Sequence, residues 1–336
     1  MAVFPVKYAF AIALLTLMGL NCQISGSKAI DQGQMLQAID RGLQFLQQIQ
    51  RADGAVCDTL NPLFDVWETA LAAGTWLEVR QDSTAPFFVQ ALDFLKTNEN
   101  AAGLICHNRK CREAYCLETT AVYYQLLWSI GRKNQVLQGI DTLLQMQFPD
   151  GHWDVGNPDV REAKSFPSVT AFMINLLTLT QQSNPLAVQW LAKQQLSDGH
   201  WGMHWEYYGT PAYAIWQIVP GLEKQIPLSS TLDWILDQQQ ADGSWIIEAR
   251  EPHKIGAALN TALYLSALLH VPSADHELAL KRGIRFLLDQ QRADGSWDGG
   301  HFPIPSESYT KEEYVFATTR ALAVIHQYLN LQFPAQ

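Results

Sequence analysis

A Gln, two intervening residues, Asp-Gly, one further residue and usually Trp recur along this chain at intervals of about 48 residues, and a chain repeating at that period folds as stacked copies of one unit. Full copies are Gln147, Asp150, Gly151 and Trp153; Gln195, Asp198, Gly199 and Trp201; Gln239, Asp242, Gly243 and Trp245; and Gln291, Asp294, Gly295 and Trp297. The first copy, Gln50, Asp53 and Gly54, has Val56 at the Trp position. A degenerate copy fills the gap after it, with Glu99, Ala102, Gly103 and Ile105 at the four positions.

Each copy ends one amphipathic run and precedes a more apolar one. In the last repeat Leu280, Ile284, Leu287 and Leu288 share one face of a helical period. Asp-Gly then stops the run, because Gly adopts the left-handed conformation that closes a helix and Asp favours turns. The following runs, 66–77, 117–130, 169–179, 212–219, 259–269 and 316–329, are apolar on nearly every side, as helices enclosed by an outer layer must be. Six outer and inner pairs predict an all-α, α6/α6 double-walled ring.

The repeat, together with inner segments that open on Thr-Ala, as at Thr69-Ala70, Thr120-Ala121 and Thr261-Ala262, resembles that of the squalene-hopene cyclases, oxidosqualene cyclases and protein prenyltransferase β-subunits. The resemblance covers essentially the whole of residues 30–336, read as one toroidal domain of six repeats. It implies that the Gln, Trp and Asp-Gly residues tie neighbouring outer helices together. It also implies a terpenoid cyclase-like protein that binds an isoprenoid or other apolar molecule in its central cavity and cyclises it by protonation. Peripheral contact with a membrane face is part of that expectation, although no docking helix is legible.

Residues 1–29 read as a secretory signal: a lone basic residue, Lys7, ahead of an apolar stretch from Tyr8 to Leu20, then Ser27-Lys28-Ala29 before a cleavage point near Ala29. Removing them takes two lysines and no acids, so the net charge passes from −10 to −12. Such a surface excludes nucleic acid and polyanionic glycans as natural partners. The remaining cysteines, Cys57, Cys106, Cys111 and Cys116, are disulfide candidates in an exported chain. The first three project from one rim, so one bridge is expected among them, with Cys116 pairing with whichever is left. A metal site built from Cys106, His107, Cys111 and Cys116 matches no standard zinc spacing. The zinc of the prenyltransferases needs a later Cys, and none follows Cys116. His200 and His204, with Glu206, read as a solvated loop, and neither a metal nor a cofactor is expected.

The segments leading into the inner helices are where chemistry is expected. The cyclases write their acid motif as Asp-x-Asp-Asp-Thr-Ala, and the nearest match is Asp65-Val66-Trp67-Glu68-Thr69-Ala70. Trp67 therefore stands where the resemblance places the central proton donor. Asp65, Glu68 and Glu118 are the remaining candidate acids, with Glu68 and Glu118 read as equivalent positions in adjacent repeats. A carboxylate opening a helix also stabilises its free amides and positive dipole end, a structural role open to all three. Trp67, Tyr115, Phe166, Tyr208 and Trp216 are the candidate substrate-binding aromatics, since aromatic faces stabilise cations. A cavity filled by Trp67 and its neighbours would instead favour a non-catalytic ligand- or protein-binding ring. A carbohydrate-processing ring is a third reading, drawing on rim acids Asp154, Asp159, Glu162, Glu206, Glu248, Glu251, Glu312 and Glu313.

Overall fold

Twelve α-helices alternate between two walls of a closed ring in a computed structural model that describes residues 30–58, 63–156, 166–202, 210–245, 254–303 and 310–334. The outer wall is α1 (Gln32–Gln48), α3 (Pro86–Thr97), α5 (Lys133–Gln145), α7 (Pro185–Lys193), α9 (Ser229–Asp237) and α11 (Glu277–Gln290). The inner wall is α2 (Asp65–Arg80), α4 (Leu117–Ser129), α6 (Pro167–Leu179), α8 (Pro211–Leu222), α10 (Ala257–His270) and α12 (Val315–Gln332). Each inner helix packs on the next, and α12 packs on α2 to close the ring. The signal-like segment 1–29 lies outside the described residues. None of the described helices is long and apolar enough to cross a membrane.

The repeat residues bond within and between repeats. Gln147, Gln195, Gln239 and Gln291 each donate Nε2 to the carbonyl of their own turn glycine at 2.8–3.1 Å. The same nitrogen reaches the start of the next outer helix, for example from Gln239 to Ala279 O at 2.9 Å. Gln291 makes that bond to Ala38 O at 2.9 Å, joining the last repeat to the first as Gln239 joins its own repeat to the next. Each Trp indole donates back to its outer helix, as from Trp245 Nε1 to Ile235 O at 2.7 Å, and all four rings are fully buried.

The inner helices are latched to the turns by threonine. The amides of Val56, Ile105, Trp153, Trp245 and Trp297 donate to the hydroxyls of Thr69, Thr120, Thr170, Thr261 and Thr318 at 2.9–3.2 Å. The Thr of the Thr-Ala motif is thus a structural latch, and it fixes the register between repeats. In the degenerate copy Glu99 replaces the Gln and accepts a hydrogen bond from Gln135 Nε2 of the next outer helix at 2.9 Å.

Two features depart from the expected pattern. A three-stranded antiparallel sheet, β1 (Lys254–Ile255), β2 (Gly300–Pro303) and β3 (Thr310–Glu312), joins the leading loops of the last two inner helices. Strands of two to four residues are too short to carry a period-two pattern, so the sequence reads them as loop. Cys106 and Cys111 are in disulfide geometry, with Cα atoms 5.8 Å apart, across a 3-10 turn (Arg109–Cys111). Cys116 carries a thiol, so the second bridge expected for it does not form; burial, then the charge of Glu118, pushes its pKa up to about 12. Arg51 Nη1 donates to Cys57 Sγ at 3.6 Å.

Turn glycines are required for two reasons at once. At Gly243 φ is +94°, and a Cβ would stand 2.5 Å from the Arg282 carbonyl oxygen of the next outer helix. Gly243→Ala is therefore expected to lose about 2–4 kcal/mol in urea denaturation, from left-handed strain plus separation of adjacent repeats. A separate check concerns the bridge: trypsin cuts after Arg109 and Lys110, inside the Cys106–Cys111 loop, so the two flanking peptides should remain joined in a non-reducing digest and separate on reduction.

Candidate active site

All inner helices enter the ring from the rim that carries the Asp-Gly turns. Their first turns therefore converge around one end of the axis. The threonine latches align these turns residue by residue and correct one reading of the sequence: Thr69 corresponds to Thr120, not to Thr119. Glu118 is thus equivalent to Trp67, and Glu68 to Thr119. A shift of one residue turns a helical side chain by about 100°, so the two glutamates face different surroundings.

Glu118 faces the axis. It is buried, and its carboxyl accepts hydrogen bonds from Ser168 Oγ at 2.9 Å and from Tyr213 Oη at 3.1 Å. Tyr213 belongs to α8, which is not adjacent to α4, so this bond spans the central space. Burial raises the Glu118 pKa to about 7, against the two hydrogen bonds, which favour the carboxylate. At neutral pH the group therefore divides between acid and carboxylate, a state in which it can give up or take a proton.

An aromatic cluster surrounds this acid. Trp67 lies 5.8 Å from Phe172 and 6.2 Å from Phe316 between ring centroids. Tyr213 lies 6.1 Å from Phe316, and Trp216 lies 5.7 Å from Phe172 and 5.5 Å from Phe316. These rings come from α2, α6, α8 and α12, and several pairs join non-adjacent helices, so aromatic side chains occupy the axis itself. All five are buried, and the Trp67 indole N–H has no hydrogen-bond partner among the described residues.

Asp65 and Glu68 point elsewhere. Asp65 is fully buried and pairs with Arg109: Oδ2 accepts from the guanidinium Nε and Oδ1 from the backbone amide at 3.1 Å. Arg109 Nη1 also reaches Asp53 Oδ2 at 2.7 Å, and its Cζ lies 4.9 Å from the centroid of Phe94. The pair fastens the second repeat's loop onto the first repeat. Glu68 accepts from the Asp58 amide at 3.1 Å and gathers with the carboxylates of Asp58 and Glu313. Asp58 in turn accepts from the amides of Tyr314 and Val315 at 2.8–3.0 Å, and Glu313 from that of Phe316 at 3.1 Å. Carboxylates at the start of α12 stabilise its positive end, which is a structural task.

The other candidates divide. Trp216 and Trp67 enter the axial cluster, Phe166 is buried at the start of α6, and Tyr115 is half-buried against Gly156. Tyr208 lies outside the described residues, as do His204 and the rim acids Asp159, Glu162, Glu206, Glu248 and Glu251. His200 Nδ1 pairs with Asp198 Oδ1 at 2.6 Å, and its ring stacks on Trp234. Among the described residues, two groups have metal-like proximity, Asp58–Glu68–Glu313 and Cys106–His107–Cys111. In the second, two of the three ligand atoms are in the disulfide geometry. Sequence reasoning singled out neither Ser168 nor Arg109, since neither belongs to a repeated motif.

Residues 167–315 match the family of squalene-hopene cyclase C-terminal domains. Squalene-hopene cyclase of Bradyrhizobium diazoefficiens is 26% identical over 288 residues, covering 69% of this chain and 43% of its own length. Enfumafungin synthase of Hormonema carpetanum is 29% identical over 212 residues, covering 49% of this chain and 16% of its own. The chain thus spans less than half the length of these curated relatives. Among solved structures, the type II terpene cyclase MstE of Scytonema superposes with a TM-score of 0.72 at 19% identity, covering 90% of this chain and 100% of its own. Substituted variants of that enzyme have been solved with geranylgeranyl dihydroxybenzoate as substrate and with merosterolic acid A as product.

The raised Glu118 pKa makes stability depend on pH. Unfolded, the group releases its proton near 4.5; folded, it holds the proton to about 7. Between those values the folded state carries the extra proton, so stability falls as pH rises from 4.5 to 7 and levels off above. Glu118→Gln lacks this loss and should gain on the wild type by about 3 kcal/mol across the window, read as the pH dependence of the denaturation midpoint.

Proposed function

We propose that this chain, which resembles the terpenoid cyclases in fold and repeat, binds an isoprenoid-like apolar substrate on its axis and starts its cyclisation with a proton from Glu118. The observation that carries this reading is the placement of Glu118: buried, titrating near neutrality, and at the register position that the cyclase motif gives to its central acid one repeat earlier. Trp67 vacates the acid role in the first repeat, and the second repeat supplies a carboxyl facing the same axis.

In the proposed step the Glu118 O–H bond breaks and its proton adds to a terminal alkene carbon, leaving a tertiary cation. The Ser168 and Tyr213 hydroxyls, already donating to the carboxyl, stabilise the carboxylate left behind. Faces of Tyr213, Trp216, Phe172 and Trp67 are each worth about 0.5–2 kcal/mol to the cation as ring closure moves it along the chain. Dry surroundings keep water from quenching it. Asp65, bound to Arg109, is assigned to holding the rim, and Glu68 to the start of α12.

A second reading rests on the same cluster. Rings touching across the axis fill space that a substrate would need, which favours an exported ring that binds a ligand or a protein without turning it over. We also propose that the chain is exported, on the signal-like pattern of residues 1–29 and the Cys106–Cys111 geometry, which suits an oxidising compartment.

Incubation with squalene and with farnesyl and geranylgeranyl derivatives, with products read by mass spectrometry, separates the readings. Cyclic product is expected from the wild type, to fall at least a hundredfold in Glu118→Gln and to decline as pH rises through about 7. Asp65→Asn should lose stability with activity per folded molecule largely retained. No turnover by folded wild type at any pH establishes the binding ring instead.

A further inference from the structure

Below the aromatic layer, toward the C-terminal ends of the inner helices, the ring opens into a cavity of about 660 Å³. Helical spacing sets its floor: Leu71, Val122 and Arg320 follow Trp67, Glu118 and Phe316 by four residues, and Trp216 follows Tyr213 by three. Thr75, Gln125, Leu126 and Gln217 form its walls.

Arg320 is unusual in this setting. Its guanidinium carbon lies 4.9 Å from the Trp216 ring centroid, across the axis from its own helix. Its one hydrogen bond among the described residues is a long one, from Nη2 to Thr75 Oγ1 at 3.4 Å, and its Nε is shielded from solvent without a partner. The residue is half-buried, and a guanidinium with part of its surface withdrawn from water is ordinarily matched by an anion. Burial lowers its pKa to about 10, which leaves it charged at neutral pH. The charge of Glu78, at the exposed mouth, acts on it, and Glu78 Oε1 accepts from Gln327 at 2.8 Å.

Gly74 supplies an independent observation. It lies inside α2, where glycine weakens a helix, yet a Cβ there would meet nothing within 4 Å. At Gly42, Gly139 and Gly283 of the outer helices, by contrast, a Cβ would strike inner-wall side chains within about 3 Å, so packing accounts for those glycines. Packing does not account for Gly74, which leaves one wall of the cavity bare.

The geometry points to a second ligand site in this cavity, separate from the acid layer, that takes a small amphipathic anion: a carboxylate or phosphate monoester on an apolar body, its head on Arg320 and its body along Leu71, Val122, Leu126 and Trp216. The ligand supplies the direct ion pair that Arg320 does not make among the described residues.

Isothermal titration calorimetry with decanoate, decyl phosphate, decanol and decyltrimethylammonium tests this on the purified protein. Decanoate or decyl phosphate is expected to bind one to one, at least tenfold tighter than decanol, with no binding of the cation. Arg320→Met should weaken anion binding at least tenfold and, having removed an unmatched charge, melt at or above the wild-type temperature. Gly74→Leu, which leaves Arg320 in place and fills the cavity, should abolish binding while circular dichroism stays native. Equal affinity for decanol and decanoate, anion binding undiminished in either variant, or no binding of either anion at millimolar concentration would overturn the proposal.

Discussion

The ring depends on a glycine that lies against the next outer helix. At each full Asp-Gly turn the chain reverses with φ near +90 to +106°, and the glycine Cα comes so close to a neighbouring carbonyl that no side chain fits between them. Around that contact the Gln amide bonds the turn to the next repeat and the Trp indole bonds it back to its own outer helix. One short motif thereby sets both the end of a helix and the distance to the following one. Because Gln291 makes the same bond to the first outer helix, closure needs no special device. Five of the six inner helices, all but α8, then hang from their turns by one threonine hydroxyl.

That suspension decides what faces the axis. Threonine latches put equivalent positions of successive inner helices at one height, so Trp67, Glu118, Ser168 and Phe316 form one layer with Tyr213. Glu118 is the acid of this layer, and its titration near neutrality is a consequence of a dry, aromatic environment that two hydroxyls only partly offset. Glu68, one residue out of that register, joins the carboxylates at the start of α12. Asp65 serves the rim through Arg109. The three candidate acids have three different surroundings because each points in its own direction from a helix start.

The same layering separates two ends of the central space. Aromatic rings from non-adjacent helices meet in the middle and divide the acid end from a cavity whose floor carries Arg320. One end offers a proton in an apolar setting, and the other offers a positive charge beside an apolar wall. Trp216 belongs to both, packed against Phe316 in the cluster and with one face under the guanidinium.

Local order was legible from the sequence because it is written in repeated, short-range terms. Apolar spacing marks the inner and outer helices, Asp-Gly marks where the outer ones stop, and five copies in one register leave a six-pair ring as the arrangement that buries every apolar face. Glu118, Trp67 and Trp216 could be picked out as residues of interest on chemical type alone. Their relations could not. Whether Glu118 matches Glu68 or Trp67 turns on a latch between backbone and hydroxyl that leaves no pattern in composition. Arg109 meets Asp65 across 44 positions, Tyr213 meets Glu118 across 95, and both pairings exist only because the ring brings those helices together. A filled axis and an unmatched Arg320 follow from closure itself, since side chains of non-neighbouring repeats touch only after six pairs have curved into a circle.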